Sequence, residues 1–470
     1  MALTGRFALV VGLGLVPLVV LGRTGVWAWG VLAVWVVLCA ILAGIDVGLA
    51  ARPRMLAVSR ELPARVRLGE QVSATLLLTN LGQRMLRATV RDAWQPSAGA
   101  ATTRQRVRVP RGERRAVTLA LTPTRRGERV VEQITVRSFG PLGLAARQAV
   151  LAAPGRLRVL PPFLSRKHVP SRLARLRELD GRTAVMIRGQ GTEFDSLREY
   201  VRGDDVRSID WRATARRATV IAPPASAPAP GQARQVGGRT ADDGTGAPAR
   251  PMPELMVRTW RPERDRRIVI VVDSSRTSAA RIGDEPRLDT AIEASLLLSV
   301  IADRAGDRVE LLAYDRRVRA RVHGASGAEL LAREVEALAS VHPELIEMGW
   351  PAVPGLIRQL SAQRSLVVLL TSLDSIGAAR GMLAVLGQLT AKHTVLVASV
   401  TDPTVATAAT ALGDRAEVYR AAAAERALLD TARLTEAVRG LGAHVVTGTP
   451  EELPPAVTDA YLALKAQGRL

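Results

Sequence analysis

The stretch Ile268-Val-Ile-Val-Val-Asp-Ser-Ser-Arg-Thr277 decides the fold of the C-terminal half of the chain. Its first five residues are all apolar and β-branched, as is typical of a strand that is buried on both faces of a parallel sheet. Similar runs, apolar except for Glu310, Ser399 and His444, recur at 309–313, 366–370, 395–400 and 443–446. The spacing of apolar residues between these runs predicts helices at 288–301, 326–340, 376–390, 410–439 and 450–466. This alternation predicts a doubly wound, mostly parallel sheet in an α/β domain over 254–470.

The N-terminus contains two uncharged apolar stretches, 7–22 and 24–45, which Arg23 separates. The second stretch has 22 residues, enough to cross about 30 Å of hydrocarbon at about 1.5 Å per residue. A cleaved signal peptide is the alternative for the first stretch, but no small-x-small cleavage motif precedes the second. We therefore predict a two-helix transmembrane hairpin over 1–54. Arginines flank its outer ends, so the positive-inside rule places both termini and the domains that follow in the cytoplasm.

Residues 55–160 show period-two alternation in short runs such as 71–79 and 130–136. Turn residues that include glycine separate the runs, which predicts a small antiparallel β-sandwich module. A charged segment over 161–222 follows. After it comes a stretch rich in Pro, Ala and Gly, 223–253, which we predict to be a disordered linker or insertion. Because the β module offers no nucleophile or ligand cluster, its default role is that of a spacer or interaction module.

The composition narrows the function classes. The chain has 65 Lys and Arg residues against 44 Asp and Glu residues, a net charge of +21. Arginine supplies nearly all of the excess and is scattered along the chain, and aromatic residues make up only 3%. These features disfavour nucleic-acid binding and make an anionic membrane surface the better partner for the charge. A single cysteine excludes a disulfide framework and a cysteine zinc site. The sequence also lacks a P-loop, a G-x-S-x-G elbow and histidines at metal-ligand spacing.

The residues that follow the first buried strand are candidates for metal binding. Asp273, Ser275 and Thr277 form the pattern D-x-S-x-[ST] at the point where a strand of the predicted sheet ends. One carboxylate and two hydroxyls are hard oxygen donors of the kind that Mg²⁺ or Mn²⁺ prefers. The same residue types commonly cap a helix or close a turn, so a purely structural loop stays open as an alternative.

This pattern resembles the metal-ion-dependent adhesion site of von Willebrand factor type A domains. In that family a second loop adds a Thr and a third loop adds an Asp. The expected second loop, near 347–352, contains no Thr. In the third loop, 371–374, the Asp comes two positions later than the family pattern places it. The resemblance therefore implies an incomplete adhesion-type site, with the candidate ligands Asp273, Ser275, Thr277 and Asp374.

The segment 193–217 is dense in opposite charges, with six acidic residues and six arginines, which favour bidentate ion pairs. Phe194, Leu197 and Val201 share a helical face, which predicts a helix that Gly203 ends. Three roles stay open for the segment: an ion-pair network that docks it onto the α/β domain, a partner-recognition surface, and a catalytic carboxylate pair. The candidate partner-binding residues are Glu193, Arg198, Arg202, Asp204, Asp205, Arg207, Asp210, Trp211 and Arg212.

The string from Gly189 to Arg216 closely resembles the signature of the "domain of unknown function 58" family. Members of that family carry a membrane hairpin, a β-rich region, this signature and a von Willebrand type A-like domain, in the order predicted here. The resemblance implies a non-enzymatic, membrane-anchored interaction scaffold. It also implies a MoxR-type AAA+ ATPase as the partner and a role in assembling or maturing other complexes. The alternative is a metal-dependent phosphoesterase that uses Asp273, Asp374 and the acids of 193–210.

Overall fold

The computed structural model describes residues 2–22, 25–183, 193–200, 209–215, 255–261 and 266–470. They belong to two compact units. One unit consists of Met1–Leu173 and Arg266–Leu470, and the other of Ala174–Asp265. The first unit contains apolar N-terminal helices, a β module and the α/β domain.

Three apolar helices follow one another at the N-terminus: α1 (Gly5–Gly12), α2 (Leu15–Leu21) and α3 (Gly25–Leu49). With the turn after it, α3 is long and apolar enough to cross a membrane, with a mean hydropathy of 2.5. The two shorter helices contact α3, where the indole of Trp35 donates a hydrogen bond to a carbonyl of α1 at 3.3 Å. Gly14 permits this close approach, since a Cβ at that position would collide with the Trp35 ring. Among the residues that the structure describes, α3 is therefore the one candidate membrane span.

The β module is built from strands in two sheets, followed by a helix. The strands are β1 (Ala2–Leu3), β2 (Leu56–Glu61), β3 (Arg65–Arg67), β4 (Val72–Asn80), β5 (Leu86–Asp92), β6 (Arg104–Val109), β7 (Arg114–Leu121), β8 (Gly127–Phe139) and β9 (Ala145–Leu160), and the helix is α4 (Val169–Thr183). One sheet has the order β1-β9-β8-β5-β6, with β3 paired to β9, and the other has the order β2-β4-β7. Buried side chains of both sheets, among them Leu76, Leu78 and Ile134, share one core. The predicted period-two runs correspond to β4 and β8, in which buried and more exposed residues alternate over most of each strand.

In the second unit, β10 (Glu193–Glu199) pairs antiparallel with β11 (Met256–Arg261). The helix that the sequence predicts through Phe194 and Leu197 is therefore wrong for these residues. The strand forms because β11 supplies a hydrogen-bonding partner for its backbone. This partner is remote in the chain, so the local spacing of apolar residues carries no information about it. The rest of that predicted helix and the predicted linker, 223–253, lie outside the described residues.

The α/β domain alternates strands and helices, as the sequence predicts. Its strands are β12 (Arg267–Asp273), β13 (Arg281–Ile282), β14 (Glu285–Pro286), β15 (Arg308–Tyr314), β16 (Val318–Val322), β17 (Leu366–Leu370), β18 (Thr394–Val400) and β19 (His444–Gly448). Its helices are α5 (Arg287–Arg304), α6 (Gly327–Ala339), α7 (Val353–Leu360), α8 (Ile376–Thr390), α9 (Pro403–Thr410), α10 (Arg415–Gly440) and α11 (Leu453–Ala466). The main sheet has the order β16-β15-β12-β17-β18-β19, in which every pairing except that of β16 is parallel. The carboxyl ends of β12 and β17 therefore lie side by side.

One predicted helix of this domain, 410–439, corresponds to α10, which begins at Arg415, whereas the separate helix α9 ends at Thr410. The side chain of Asp414 accepts a hydrogen bond from the backbone N–H of Glu417 at 2.7 Å and so caps the start of α10. A capping residue has an extended backbone, so α10 cannot begin before Asp414. The sequence therefore placed the start of this helix too early, and it did not predict α9.

The β module is bound to the α/β domain through buried polar contacts. The guanidinium of Arg126, in the turn before β8, is 4% exposed and pairs with Asp289 of α5 at 2.5 Å. It also donates a hydrogen bond to the carbonyl of Leu338 at 3.0 Å. The carboxylate of Glu293, one turn further along α5, accepts hydrogen bonds from the backbone N–H groups of Leu164 and Ser165, each at 3.0 Å. Removal of one partner of such a buried ion pair would leave the other charge uncompensated and would destabilise the contact between the two domains.

Candidate functional site

The site begins at the carboxyl end of β12, where the chain leaves the sheet. The side chain of Asp273 is almost fully buried, and so is that of Ser275. The backbone N–H of Ser275 donates a hydrogen bond to Oδ1 of Asp273 at 2.8 Å. The hydroxyl of Thr277 donates to Oδ2 at 3.2 Å and lies 3.2 Å from the hydroxyl of Ser275. The three candidate ligands in the D-x-S-x-[ST] pattern are therefore brought together.

A fourth oxygen donor, Thr371, comes from the neighbouring strand. It is the first residue after β17, which pairs in parallel with β12, so that Val272 lies opposite Leu370. The hydroxyl of Thr371 consequently reaches Oδ2 of Asp273 and donates a hydrogen bond to it at 2.6 Å. The sequence contained a signal for this residue, because the first polar side chains after two adjacent parallel strands meet at one edge of a sheet. The ligand set drawn from the sequence omitted it.

Asp374, the fourth ligand predicted from the sequence, is placed elsewhere. Its carboxylate forms an ion pair with Arg287, at the start of α5, and it does not line the pocket beside Asp273. The guanidinium of Arg287 also donates a hydrogen bond to Ser372 at 3.0 Å. Burial lowers the pKa of Arg287. The structure thus assigns to Thr371 the position beside Asp273 that the sequence assigned to Asp374.

The loop predicted to supply the second ligand, near 347–352, does border the pocket. The backbone just before it is held against the loop that follows β12, since the N–H of Arg276 donates to the carbonyl of Ile346 and the N–H of Glu344 donates to the carbonyl of Ser274, both at 2.9 Å. Glu347 and Trp350 line the pocket from this loop. The carboxylate of Glu347 pairs with the guanidinium of Arg276 at 2.5 Å, and both side chains are about half exposed.

The pocket enclosed by these loops is small. Its volume of about 10 Å³ is close to what one water molecule or one metal ion requires. Its lining contains two carboxylates, those of Asp273 and Glu347, and the hydroxyls of Ser275, Thr277, Thr371 and Ser372. These are hard oxygen donors that fit Mg²⁺ or Mn²⁺, although the carboxylate of Glu347 is engaged by Arg276. Among the residues that the structure describes, no three His, Cys, Asp or Glu side chains are grouped to hold a metal. Asp273 is therefore the carboxylate around which the hydroxyls of Ser275, Thr277 and Thr371 are grouped, and a two-metal centre would need further acids.

The charged segment is described only in part. The side chain of Asp210 accepts hydrogen bonds from the backbone N–H groups of Arg212 at 3.0 Å and of Ala213 at 3.1 Å, which is the role of a helix cap. Trp211 is 65% exposed, and Arg212 is also exposed. Glu193 and Arg198 lie on β10, but their side chains are not described. The remaining candidates lie outside the described residues: Arg202, Asp204, Asp205 and Arg207.

A family model, described as a protein of unknown function, DUF58, matches residues 196–222 and 247–437. The C-terminal region of the chain matches the DUF58 family. The match includes part of the charged segment and all the loops that form the pocket beside Asp273. No curated protein matches the chain.

Several solved structures resemble a part of the chain. One is a crystal structure of the CARDB domain of a Pyrococcus furiosus protein in complex with di-metal ions, which is 18% identical, covers 23% of this chain and 89% of that chain, and has a TM-score of 0.18. Another is a FixG-related protein from Vibrio parahaemolyticus, which is 11% identical, covers 22% of this chain and 96% of that chain, and also has a TM-score of 0.18.

Proposed function

We propose that this protein is a non-enzymatic, membrane-anchored interaction scaffold that binds other proteins through a metal ion beside Asp273. The pocket beside Asp273 is the observation that carries the proposal. It combines one carboxylate with the hydroxyls of Ser275, Thr277 and Thr371 at the edge of a parallel sheet. The resemblance to adhesion sites of von Willebrand factor type A domains supports the same assignment for the α/β domain.

The charge balance of the pocket supports a role in binding. A divalent cation beside the carboxylate of Asp273 would keep a net charge of about +1, which favours a further anionic ligand. The other carboxylate of the lining, that of Glu347, is balanced by Arg276. A carboxylate of a partner protein would complete the coordination shell. The Mg²⁺ or Mn²⁺ would act there as a bridge between two proteins, while Thr371 and the two hydroxyls of the first loop hold it in place.

The N-terminal helices support membrane attachment. The long apolar helix α3 would cross the bilayer, and α1 and α2 would form the other arm of a two-span hairpin. The arginines at the outer ends of this hairpin would then place the soluble domains in the cytoplasm. A MoxR-type AAA+ ATPase is the partner that the DUF58 resemblance favours, and assembly or maturation of other complexes is the process.

Isothermal titration of the full chain in neutral detergent tests the metal site. Mn²⁺ and Mg²⁺ are titrated into the wild type, Asp273→Asn and Asp374→Asn. Both variants lose one carboxylate charge, but only Asp273 faces the pocket, so we expect Asp273→Asn to abolish binding and Asp374→Asn to retain it. Absence of binding to the wild type, or equal binding by all three proteins, would refute the metal site.

A second measurement tests the scaffold role. A purified MoxR-type ATPase is applied to the immobilised full chain, with Mn²⁺ or with a chelator, and its capture is measured. We expect capture by the wild type with Mn²⁺ and its loss with Asp273→Asn or the chelator. Hydrolysis of bis(p-nitrophenyl) phosphate by the wild type but not by Asp273→Asn would instead favour the phosphoesterase.

A further inference from the structure

The outward face of the larger sheet of the β module carries a dense group of arginines. They come from the exposed positions of the adjacent strands β5, β6 and β8. We call this group the arginine face, and its members are Arg87, Arg91, Arg104, Arg106, Arg108 and Arg137. The other outward positions of these rows, which extend onto β9, hold Thr89, Thr135, Phe139, Gln148 and Val150, so none of them is acidic.

The register of the sheet concentrates this charge. Arg87 lies directly opposite Arg108, and Arg91 lies directly opposite Arg104. Like charges at directly opposed positions destabilise a sheet, so the stability of the fold does not account for them. An overall bias towards arginine explains the number of arginines but not the lack of acids between them. Within the described residues, none of the six arginines forms an ion pair.

The centre of the face forms a groove that suits a phosphate group. Arg106 and Arg137 lie on either side of Thr89, each directly opposite it in the register. With Arg91 and Arg104 they line a groove with a volume of about 440 Å³. Guanidinium groups bind phosphate oxygens through paired hydrogen bonds, and a threonine hydroxyl can donate a further one. The groove therefore offers several donors and positive charge at one place.

The face also lies close to the end of the apolar helix α3. Asp46 of α3 is fully buried, and it accepts hydrogen bonds from the backbone N–H groups of Leu142, Leu144 and Ala145 at 2.7–2.9 Å. These residues follow β8 directly, so α3 is fixed to the end of that strand. Arg147 of β9 adds a hydrogen bond from its Nε to the carbonyl of Val47 at 2.8 Å.

The register gives the distance of the arginines from this junction. Gly140, which contacts Asp46, is three residues after Arg137, or about 10 Å along the strand. Arg87 and Arg108 lie one row nearer, at the level of Phe139. The headgroup layer on each side of a bilayer is about 5–8 Å thick. Two rows of arginines thus lie within reach of the headgroups beside the membrane end of α3.

We propose that the arginine face binds the headgroups of anionic phospholipids in the bilayer that α3 enters. The inference rests on the membrane anchoring that forms part of the proposed function, but it is independent of the metal site and of any protein partner. Binding of this kind would hold the β module against the membrane surface and would fix its orientation there. Phosphatidylglycerol is a suitable probe because its headgroup is anionic through its phosphate.

The test uses the full chain in neutral detergent. Water-soluble dioctanoyl phosphatidylglycerol, dioctanoyl phosphatidylcholine and glycerol 3-phosphate are titrated separately, and binding is followed by microscale thermophoresis. The groove variant is Arg106→Gln with Arg137→Gln. The matched control is Arg316→Gln with Arg317→Gln, which removes the same charge from an exposed turn of the α/β domain. A thermal melt of each variant verifies that it is folded.

We expect the wild type to bind phosphatidylglycerol at least about tenfold more tightly than phosphatidylcholine or glycerol 3-phosphate. The groove variant should lose this preference, and the control should keep it. Equal binding of both lipids by the wild type overturns the proposal without reference to any variant. Equally weakened binding of phosphatidylglycerol in both double variants overturns it too, since net charge would then be the cause. Tight binding of glycerol 3-phosphate would indicate a soluble phosphate ester as the ligand and would also overturn the proposal. Release of the chain from membranes by alkaline carbonate would refute the anchoring separately.

Discussion

Replacement of Glu334 by Gln is expected to stabilise the protein at neutral and alkaline pH. It should also remove most of the fall in stability that the ionisation of this carboxyl group causes as the pH rises. Glu334 lies on α6 with its side chain fully buried. Its Oε1 accepts a hydrogen bond from the hydroxyl of Ser299 at 2.8 Å, whereas Oε2 has no partner within the described part of the chain. Burial raises the pKa of Glu334 from 4.5 to about 8. The nearby charge of Asp303 also raises this pKa, whereas the hydrogen bond from Ser299 lowers it.

The expected size of the effect follows from this difference in pKa between the unfolded and folded states. A carboxyl group whose pKa is raised on folding holds its proton more tightly in the folded state, so the free energy of unfolding falls as the pH rises from about 4.5 towards about 8. At about 1.4 kcal/mol per pKa unit, the loss is about 3 kcal/mol at pH 7 and about 5 kcal/mol above pH 8. Glutamine has nearly the same volume and no ionisable proton, so the variant escapes this loss.

Thermal unfolding of the full chain in neutral detergent between pH 5 and pH 9 measures the effect. The control is Glu329→Gln on the same helix, because Glu329 is exposed and pairs with Arg333 at 3.1 Å. We expect the melting temperature of the wild type and of the control to fall together with rising pH, and that of Glu334→Gln to change much less. A wild-type curve that stays flat over this range, or a control as flat as Glu334→Gln, would show that the buried carboxyl does not titrate as argued.

Three further substitutions test other contacts. Arg126→Met leaves the charge of Asp289 without its partner at the contact between the β module and the α/β domain. Thermal unfolding should therefore show a loss of about 3 kcal/mol in the free energy of unfolding. Arg125→Met, at an exposed neighbour, should change this free energy little, and equal melting of both variants would count against a role for the ion pair. Gly140→Ala places a methyl group against the carboxylate of Asp46 and so disturbs the junction between α3 and the β module. Limited proteolysis of the chain after α3 should therefore become faster. Gly48→Ala, where a Cβ meets nothing within 4 Å, is the control, and unchanged proteolysis of Gly140→Ala would contradict the close contact. Thr371→Val removes one hydroxyl from the pocket, so the affinity for Mn²⁺ measured by titration should fall about tenfold. Ser375→Ala, further along the same loop and outside the pocket lining, should retain it. An unaltered affinity in Thr371→Val would exclude Thr371 from the ligand set.

The differences between expectation and structure have a common origin in contacts between distant residues. The strand β10 forms because residues near 256–261 pair with it, and Asp374 is drawn away from the pocket by Arg287. Thr371 reaches Asp273 only because β17 lies next to β12 in the sheet. No spacing along the chain records which strand neighbours which. The motif therefore could not show that Thr371, and not Asp374, lies beside Asp273.

The sequence by itself determined the elements that are surrounded by an apolar environment on all sides. The five apolar residues before Asp273 indicate a strand buried on both faces, and the long apolar run near the N-terminus indicates a helix able to span a membrane, because burial on all sides requires apolar side chains at every position. Tertiary structure alone decided which polar groups meet: the oxygens around Asp273, the buried carboxylate of Glu334 and the arginines that face one another across β5 and β6. The physical reason is that hydrogen bonds and ion pairs depend on distances of a few ångströms between residues that can be far apart in the chain.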